Sequence, residues 1–341
     1  MKSRDGRHVL TAALGIVGAV ISVVASAPRL SAQQPSDTKA VSGTTRPPAD
    51  ARKFDSPQQA ADVLVDAAAK GDMAALEKIF GAEGKGIVLS GDPRHDREHI
   101  SNFATLAREG VTVSTDSAGG TRAFLLVGNQ KWPFPVPVVK SGDSWSFDAD
   151  QGREELYYRR MGANELDAIE LCRGFVEAQN YYALERREGY QVHQYAQRII
   201  STPGKQDGLA WRNPDGSWGG VVGDKIAHAI QQGYTDRSQP YHGYYYKILT
   251  GQGPAAPLGE MDFIVEGAMI GGFALAAAPA KYGVTGVQSF IVSYEGVVYQ
   301  KDLGPKSLEE FQKLKRYNPD KSWTPVPEQQ DDSQQSTTAL R

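Results

Sequence analysis

Two histidines four residues apart are the first side chains in the sequence whose spacing suits chemistry. His95 and His99 lie in the run DPRHDREH (92–99), where a helix would place both imidazoles on one face, as a zinc site requires. The run lacks the glutamate of HExxH that acts as general base in zinc proteases, although Glu98 is adjacent. A charged first turn also serves helix capping and solubility. We therefore expect neither a metal nor a cofactor, and retain His95 and His99 as the candidate ligands if a metal binds.

Another histidine lies in a tyrosine-rich segment, YHGYYYKIL (241–249), whose alternation predicts a strand. A period of two puts Tyr244 on the same strand face as His242. Together with Asp262 and Tyr282, His242 is a candidate hydrogen-bonding site for a sugar or a peptide. Cross-strand packing is the structural alternative for these tyrosines.

Motifs of familiar catalytic machinery do not occur in the sequence. There is no GxSxG elbow, P-loop or dinucleotide-binding fingerprint where a strand, turn and helix would need one. The segment YGVTG (282–286) leads into a predicted strand, so we interpret it as a turn with Gly283 or Gly286 in the left-handed conformation. Catalytic residues stay unknown, and the sequence favours a protein that is not an enzyme.

Composition excludes several classes of protein. The chain has 341 residues, with 37 Lys and Arg against 40 Asp and Glu, which gives a formal net charge of −3. That balance does not suit an electrostatic nucleic-acid binder. The single cysteine, Cys172, cannot form an intramolecular disulfide or a multi-cysteine metal site. Cys172 falls on the apolar stripe of a predicted helix, so we expect it to be buried.

The two ends of the chain differ from its middle. Residues 1–32 have the order of a secretory signal peptide, with basic residues, an apolar stretch and then the small-residue site LSA (30–32). An uncleaved anchor is the alternative, because the apolar stretch (9–27) approaches the ~20 residues that span a bilayer. Cleavage predicts an exported protein, periplasmic or extracellular, that keeps no stable membrane span. Residues 33–53 and 324–341 predict a flexible linker and a disordered tail.

Residues 54–160 predict an α+β domain. Helix starts are expected at Ser56, Asp72 and Asp92, and helix ends at Gly71 and Gly110. A period of two then predicts an antiparallel meander whose strands are 121–127, 136–140 and 144–147. The N-terminal helices therefore pack on one face of a curved antiparallel sheet.

This order of elements, with its terminal GDSWSFD strand (142–148), resembles the nuclear-transport-factor-2-like fold. Domains of that fold often hold a pocket between the curved sheet and the helices, so the resemblance implies one here. Its candidate lining residues are Trp132, Trp145, Tyr157 and Tyr158. Core or rim packing is the alternative for these rings.

Residues 161–323 predict a second α+β domain, with a long helix packed on an antiparallel sheet. An uninterrupted helix is expected from Asn164 to about Arg187, and a second helical stretch over 192–200. Besides the tyrosine-rich strand, three segments predict strands, and the last two form a hairpin: 271–277, 290–292 and 296–299.

Four segments carry a family resemblance, namely FDSPQQAADVLVDAAAKGDMAALEKIFG (54–81), ELDAIELCRGFVEAQNYY (165–182), YHGYYYKILTGQGPAAP (241–257) and GGFALAAAPAKYGVTGVQSFIVSYEGVVYQKDLGP (271–305). They resemble a bacterial family of exported proteins known as domain of unknown function 2950. The resemblance covers nearly the whole folded chain and implies export. It supplies no activity.

The second half also has a more distant likeness. The AIELCRGFVEAQNYY helix (168–182), the GYYYKI strand (243–248) and the hairpin that follows YGVTG are similar to the globular heads of type IV pilin-like and pseudopilin-like proteins. In those heads a long helix packs across an antiparallel sheet. No prepilin peptidase site and no hydrophobic stem precede Asn164, so assembly into a filament through the usual stem is not expected.

Together these observations favour an exported, non-catalytic binding or interaction module. Its expected partner is an envelope protein, a peptide or a glycan, and not a nucleic acid. A hydrolase or metal-assisted enzyme is the first alternative, and an accessory factor of a secretion or pilus-like system is the second. The candidate ligand-binding residues are Tyr241, His242, Tyr244, Asp262, Tyr282, Trp132 and Tyr157.

Overall fold

The structure is a computed structural model that describes residues 50–327, except for 89–92, 117–119, 188, 190 and 222–239. The predicted signal peptide, most of the predicted linker and the end of the predicted tail lie outside the described residues. The chain divides into two compact units between Leu156 and Tyr157, whereas the sequence placed the boundary near residue 160. Within the described ranges, no helix is long and apolar enough to cross a membrane.

Helices of the first unit begin and end where local capping explains them. They are α1 (Pro57–Lys70), α2 (Met73–Phe80), α3 (Lys85–Val88) and α4 (Pro93–Glu109). The Ser56 side chain accepts a hydrogen bond from the backbone N–H of Gln59, and Gly71 ends α1 in the left-handed conformation. Asp72 accepts from the N–H of Ala75 and starts α2. The predicted boundaries at these three positions are confirmed.

An antiparallel sheet follows these helices. Its strands are β1 (Val111–Thr115), β2 (Arg122–Val127), β3 (Trp132–Pro133), β4 (Val138–Ser141) and β5 (Ser144–Phe147). Their order is β1-β2-β4-β5, with β3 also paired to β2. In β2, Ala123, Leu125 and Val127 are fully buried whereas Phe124 is exposed, so one sheet face joins the helices in the core. The sequence missed β1, a strand with no fully buried residue to mark it.

The folded part of the first unit begins earlier than predicted. Residues 50–53 were assigned to the linker, yet Ala51 is buried. The carboxylate of Asp50 accepts the N–H of Ala82 at 2.9 Å, and the N–H of Arg52 donates to the carbonyl of Lys78 at 3.1 Å. These bonds fix the entry of the chain against the end of α2.

One long helix, α5 (Ala149–Tyr182), begins directly after β5. The prediction that it starts at Asn164 is wrong by fifteen residues. Asp148 is the reason, because its two carboxylate oxygens accept the backbone N–H of Gln151 at 3.0 Å and its side-chain amide at 2.9 Å. This cap lets the helix follow the strand with no intervening loop.

A small three-stranded sheet replaces the helical stretch predicted over 192–200. Its strands are β6 (Arg198–Ile200), β7 (Gly208–Arg212) and β8 (Trp218–Gly220), and β6 runs parallel to β7. The buried side-chain amide of Gln179 bonds to both the N–H and the carbonyl of Ala196, each at 2.8 Å. Those backbone groups are therefore satisfied without a helix, and the β-branched Ile199 and Ile200 favour a strand.

The remaining elements are β9 (Tyr244–Leu249), β10 (Gly251–Gln252), β11 (Met261–Asp262), β12 (Ile264–Val265), β13 (Ala268–Met269), β14 (Ala274–Pro279), β15 (Gln288–Ser293), β16 (Val298–Asp302), α6 (Ser307–Lys313) and β17 (Thr324–Pro325). An antiparallel sheet of order β17-β16-β15-β14-β9 is the largest in the second unit. The predicted hairpin is confirmed as β15 and β16. Residues 324–325 pair with β16, so the predicted disordered tail is wrong at its start.

This large sheet has a helix on each face. On one face Tyr244 and Tyr246 are buried in the same core as Cys172 of α5. On the other face Lys247 donates to the carbonyl of Phe311 in α6 at 2.5 Å. Burial raises the pKa of Cys172 to about 12, and its predicted burial is confirmed. Each unit thus combines helices with a sheet, which confirms the α+β class.

Candidate functional site

The strand predicted over 241–249 begins only at Tyr244, because the residues before it form a tight turn. Tyr241 and Tyr244 exchange two backbone hydrogen bonds of 3.0 Å each. Between them φ is 46° at His242 and 75° at Gly243. Positive φ at both central residues is the pattern of a type I′ turn. His242 therefore has no strand face, and its predicted grouping with Tyr244 is wrong.

Asp167 of α5 is the carboxylate that contacts His242. Its Oδ2 is hydrogen-bonded to Nδ1 of the imidazole. A neutral imidazole then carries its proton on Nδ1 and leaves Nε2 as an acceptor. The two side chains keep 35% (His242) and 40% (Asp167) of their surface exposed, and the ring centroid of Tyr241 lies 4.2 Å from that of the imidazole. This arrangement can hydrogen-bond to a molecule at the surface or exchange a proton with it.

Three further residues of α5 hold the segment between β14 and β15 close to the helix. The hydroxyl of Tyr157 donates to the carbonyl of Gly283. The side-chain amide of Asn164 donates to the carbonyl of Thr285 at 2.9 Å. The carboxylate of Glu165 accepts two backbone N–H groups at the start of β15, at 2.7 and 3.0 Å. These bonds fix the helix against the end of the sheet that carries the turn.

Close packing at Gly243 joins the turn to these tethers. A Cβ on Gly243 would lie 2.7 Å from Nδ2 of Asn164 and 2.8 Å from Cβ of Thr285. Gly283 has φ 65°, which confirms the left-handed glycine predicted at 283 or 286. We give the name turn cluster to Asn164, Asp167, Tyr241, His242, Gly243 and Thr285.

Burial keeps the tyrosines near the turn cluster protonated. It raises the pKa of Tyr241, with a smaller contribution from the charge of Asp167. Burial likewise raises the pKa values of Tyr244 and Tyr246. The Tyr244 hydroxyl donates to the carbonyl of Gln288 at 2.8 Å, whereas that of Tyr246 has no hydrogen-bond partner among the described residues. All three hydroxyls are therefore hydrogen-bond donors near neutral pH.

The predicted grouping of His242 with Asp262 does not assemble in this structure. Asp262 lies in β11, beyond the far end of β9, and forms an ion pair of 2.7 Å with Arg316. Since a strand rises about 3.3 Å per residue, the length of β9 alone puts roughly 20 Å between the turn and that end. Tyr282 donates to a carboxylate of β16 at 3.1 Å. Asp167 is the acidic partner of His242 instead.

Other predicted residues lie in separate places. Tyr157 and Tyr244 belong to the surroundings of the turn cluster, whereas Trp132 lies in β3 and packs against the core of the first unit. His99 is exposed on α4, and the side chain of His95 lies outside the described residues. No group of three potential metal ligands occurs among the residues that the structure describes.

Sequence reasoning missed Asp167 and Asn164, which supply the polar side of the turn cluster. Both lie in the helix predicted around Cys172, at polar positions beside its apolar stripe. Asp167 is 75 residues from His242 along the chain, and no local pattern links two positions so far apart. The available signal was the His-Gly pair at 242–243, which suits a turn with two left-handed residues.

A shallow cleft in the first unit was also not predicted. It has a volume of about 290 Å³ and lies between α1 and α4. Lys70, Arg97 and Arg108 line it, and Lys70 is paired with Asp66 at 2.7 Å. The cleft offers positive charge on exposed, flexible side chains. The turn cluster is the better candidate site because its groups are held by bonds between separate elements.

The comparison with protein families covers most of the folded chain. The family model described as "Protein of unknown function (DUF2950)" matches residues 51–326. The chain belongs to this family, as the sequence segments predicted. No curated protein and no solved structure matches the chain.

Proposed function

We propose that this DUF2950 protein is an exported binding module of the cell envelope, and that its ligand binds at the turn cluster. The contact between Asp167 and His242 is the observation that carries the proposal. A non-glycine residue with positive φ costs about 1–3 kcal/mol and persists where its surroundings impose it, often at ligand sites. Here a carboxylate from another element holds the strained residue, whose imidazole is part-exposed.

Binding suits the way the surrounding groups are used. The side chains of Asn164 and Glu165 are hydrogen-bonded to the backbone before and at the start of β15. They therefore act as supports, while His242, Asp167 and Tyr241 present polar groups beside them. A ligand meets a surface that is already ordered, so little conformational entropy is lost on binding.

Export is supported by the order of basic, apolar and small residues in 1–32. Intact-mass measurement of the protein from its native host tests this part. A mature chain that begins at Gln33 and is recovered with the envelope is expected. Recovery of the full chain from the cytoplasm would contradict export and leave the site proposal to its own test.

Nuclear magnetic resonance of the imidazole tests the binding site directly. The Cε1 proton of His242, assigned by its loss in His242→Asn, should shift when soluble envelope polymers and peptides are added to the mature protein. The exposed His99 is the internal control and should not shift. A His242 signal that responds to no envelope fraction would contradict the proposal.

A second candidate function, an acid–base enzyme, is favoured by the same contact. A carboxylate on Nδ1 orients the imidazole, so that Nε2 is placed to accept and return a proton. A screen of ester, amide and glycoside substrates distinguishes the two candidates. Turnover that His242→Asn abolishes, with the fold retained, would replace the binding proposal by this one.

A further inference from the structure

We infer that the ligand of the turn cluster is a neutral polyhydroxylated molecule, a saccharide, bound through the imidazole of His242, the carboxylate of Asp167 and the ring of Tyr241. This inference rests on the proposed function and narrows its ligand to one chemical class. It follows from the hydrogen-bonding character of these three groups, from their charge and from their rigid support.

Donors and acceptors lie side by side in the turn cluster. In the neutral imidazole, whose Nδ1–H donates to Asp167, Nε2 of His242 is an acceptor, and the second carboxylate oxygen of Asp167 is also an acceptor. Tyr241 offers a hydroxyl that stays protonated. Sugar hydroxyls both donate and accept, so neighbouring hydroxyls on one ring can match this mixed set. An ammonium group only donates and cannot accept from Tyr241.

The charge around the site disfavours an anion. Asp167 places a carboxylate in the cluster, and a phosphate or carboxylate ligand would approach that charge. The negative charge of Glu165 is already stabilised by two backbone N–H groups at the start of β15. A neutral ligand that can donate to Asp167 therefore fits best.

An aromatic ring beside these polar groups supplies the apolar contact. The Tyr241 ring lies 4.2 Å from the imidazole between ring centroids, with an interplanar angle of 46°. The face of a sugar ring carries C–H groups, which pack on an aromatic surface while the ring's hydroxyls reach polar neighbours. Tyr241 and His242 thus present an apolar and a polar surface within one turn.

Rigidity suits a ligand whose individual contacts are weak. The close approach of Gly243 to Asn164 and Thr285 leaves no space for a side chain between the turn and α5. The bond from Asn164 to the carbonyl of Thr285 holds the other side of the contact. Polar groups that are ordered before binding do not lose entropy on binding, which favours hydroxyl recognition.

Calorimetric titration of the full mature chain tests the inference. The probes are chitotetraose, cellotetraose and maltotetraose, with an acetylated, amidated Ala-Ser-Ala-Ser peptide as the neutral non-sugar probe. We expect at least one saccharide to bind, and His242→Asn and Tyr241→Ala each to weaken it at least about tenfold. His242→Asn is the sharper variant, because Asn-Gly is the preferred pair for a type I′ turn and keeps the fold.

A matched control exists in the turn between β12 and β13, where Glu266 occupies the position of His242. Glu266→Asn should leave saccharide affinity unchanged. The inference is overturned if no saccharide binds, or if binding survives His242→Asn. It is also overturned if only the peptide binds through His242, and in that case the proposed binding function stands.

Discussion

Two turns in the second unit have similar φ angles at their central residues and different side-chain surroundings. The first joins Tyr241 to Tyr244, and the second joins β12 to β13. φ is 46° at His242 and 49° at Glu266, and a glycine with positive φ follows each of them. Both turns thus place a non-glycine residue in a conformation that favours Gly, Asn or Asp.

The difference lies in what holds each turn. In the second turn the carbonyl of Gly267 accepts from the side-chain amide of Gln197 at 2.6 Å, so the backbone is held. In the first turn the side chain of His242 is itself bonded to Asp167 of α5. A strained turn residue is therefore a weak sign of function by itself. Its contact with a carboxylate from another element is the stronger sign.

The largest expected effect tests the close packing behind the first turn. Gly243→Ala combines a positive φ with a Cβ at 2.7 Å from Asn164 and 2.8 Å from Thr285. We expect a loss of about 2–4 kcal/mol in the free energy of unfolding, from strain plus overpacking. Gly283→Ala is the control, because its φ is also positive and its Cβ would meet no atom within 4 Å. Its loss should be about 1 kcal/mol in urea unfolding. Equal losses would show that the packing at Gly243 relaxes freely.

A smaller effect is the loss of stability at high pH. It arises beside the first turn, where buried tyrosines follow Tyr241 in the chain. Burial holds the pKa values of Tyr244 and Tyr246 above their unfolded value of 10.0. Their contribution to stability is therefore complete below pH 10 and is lost as the pH rises above it. For each tyrosine the loss in the free energy of unfolding approaches about 1.4 kcal/mol per pH unit above about pH 11.

Tyr246→Phe isolates one of these tyrosines. Between pH 10 and 11 the variant should lose about 1 kcal/mol less than the wild type in urea unfolding. At pH 7 it should be neutral or more stable, because the hydroxyl it removes is buried with no partner among the described residues. Tyr244→Phe is the control at pH 7 and should cost about 1 kcal/mol through its lost bond to Gln288. Identical alkaline slopes for wild type and Tyr246→Phe would refute the raised pKa.

The contact that distinguishes the turns should itself have a modest energy. Asp167→Asn removes a charge that is 40% exposed in its bond to His242, and a loss of about 0.5–1 kcal/mol is expected after solvent screening. Asp262→Asn is the control, because Asp262 is 70% exposed in its pair with Arg316 and should cost less than about 0.5 kcal/mol. Chemical denaturation measures both. An effect at Asp167 no larger than the control would mean that the contact does not hold the turn.

Local signals predicted the parts of the fold that depend on neighbouring residues. Ser56, Gly71 and Asp72 set helix boundaries through bonds within three or four residues, and the sequence placed them correctly. Gly283 likewise follows from a turn pattern. Asp148 and Gln151 form the cap at the start of α5. The sequence did not reveal it, because no turn residues separate the end of β5 from the start of the helix.

Contacts between residues that are far apart in the chain could not be predicted from the sequence. The segment predicted as a helix over 192–200 has the apolar spacing of a helix. The side chain of Gln179 satisfies the backbone of Ala196 without one, and that contact crosses 17 residues of sequence. The site shows the same limit. His242 and Tyr241 were identified from their types, but Asp167 was not, since a single sequence does not reveal which of many carboxylates faces an imidazole.

The smallest expected effect is the change in the free energy of unfolding when each turn receives the same substitution, to Asn. Asn adopts the left-handed conformation more readily than Glu or His, and Asn-Gly is the preferred type I′ pair. Glu266→Asn should therefore raise the free energy of unfolding by about 0.5 kcal/mol. His242→Asn gains the same turn preference but loses the bond to Asp167, so it should be lower than Glu266→Asn by about 0.5–1 kcal/mol. The difference between the two changes, measured by urea unfolding, is the contribution of the Asp167 contact with the turn preference removed. If both substitutions stabilise the protein equally, the imidazole does not stabilise the turn. The contact between His242 and Asp167 would then serve ligand binding alone.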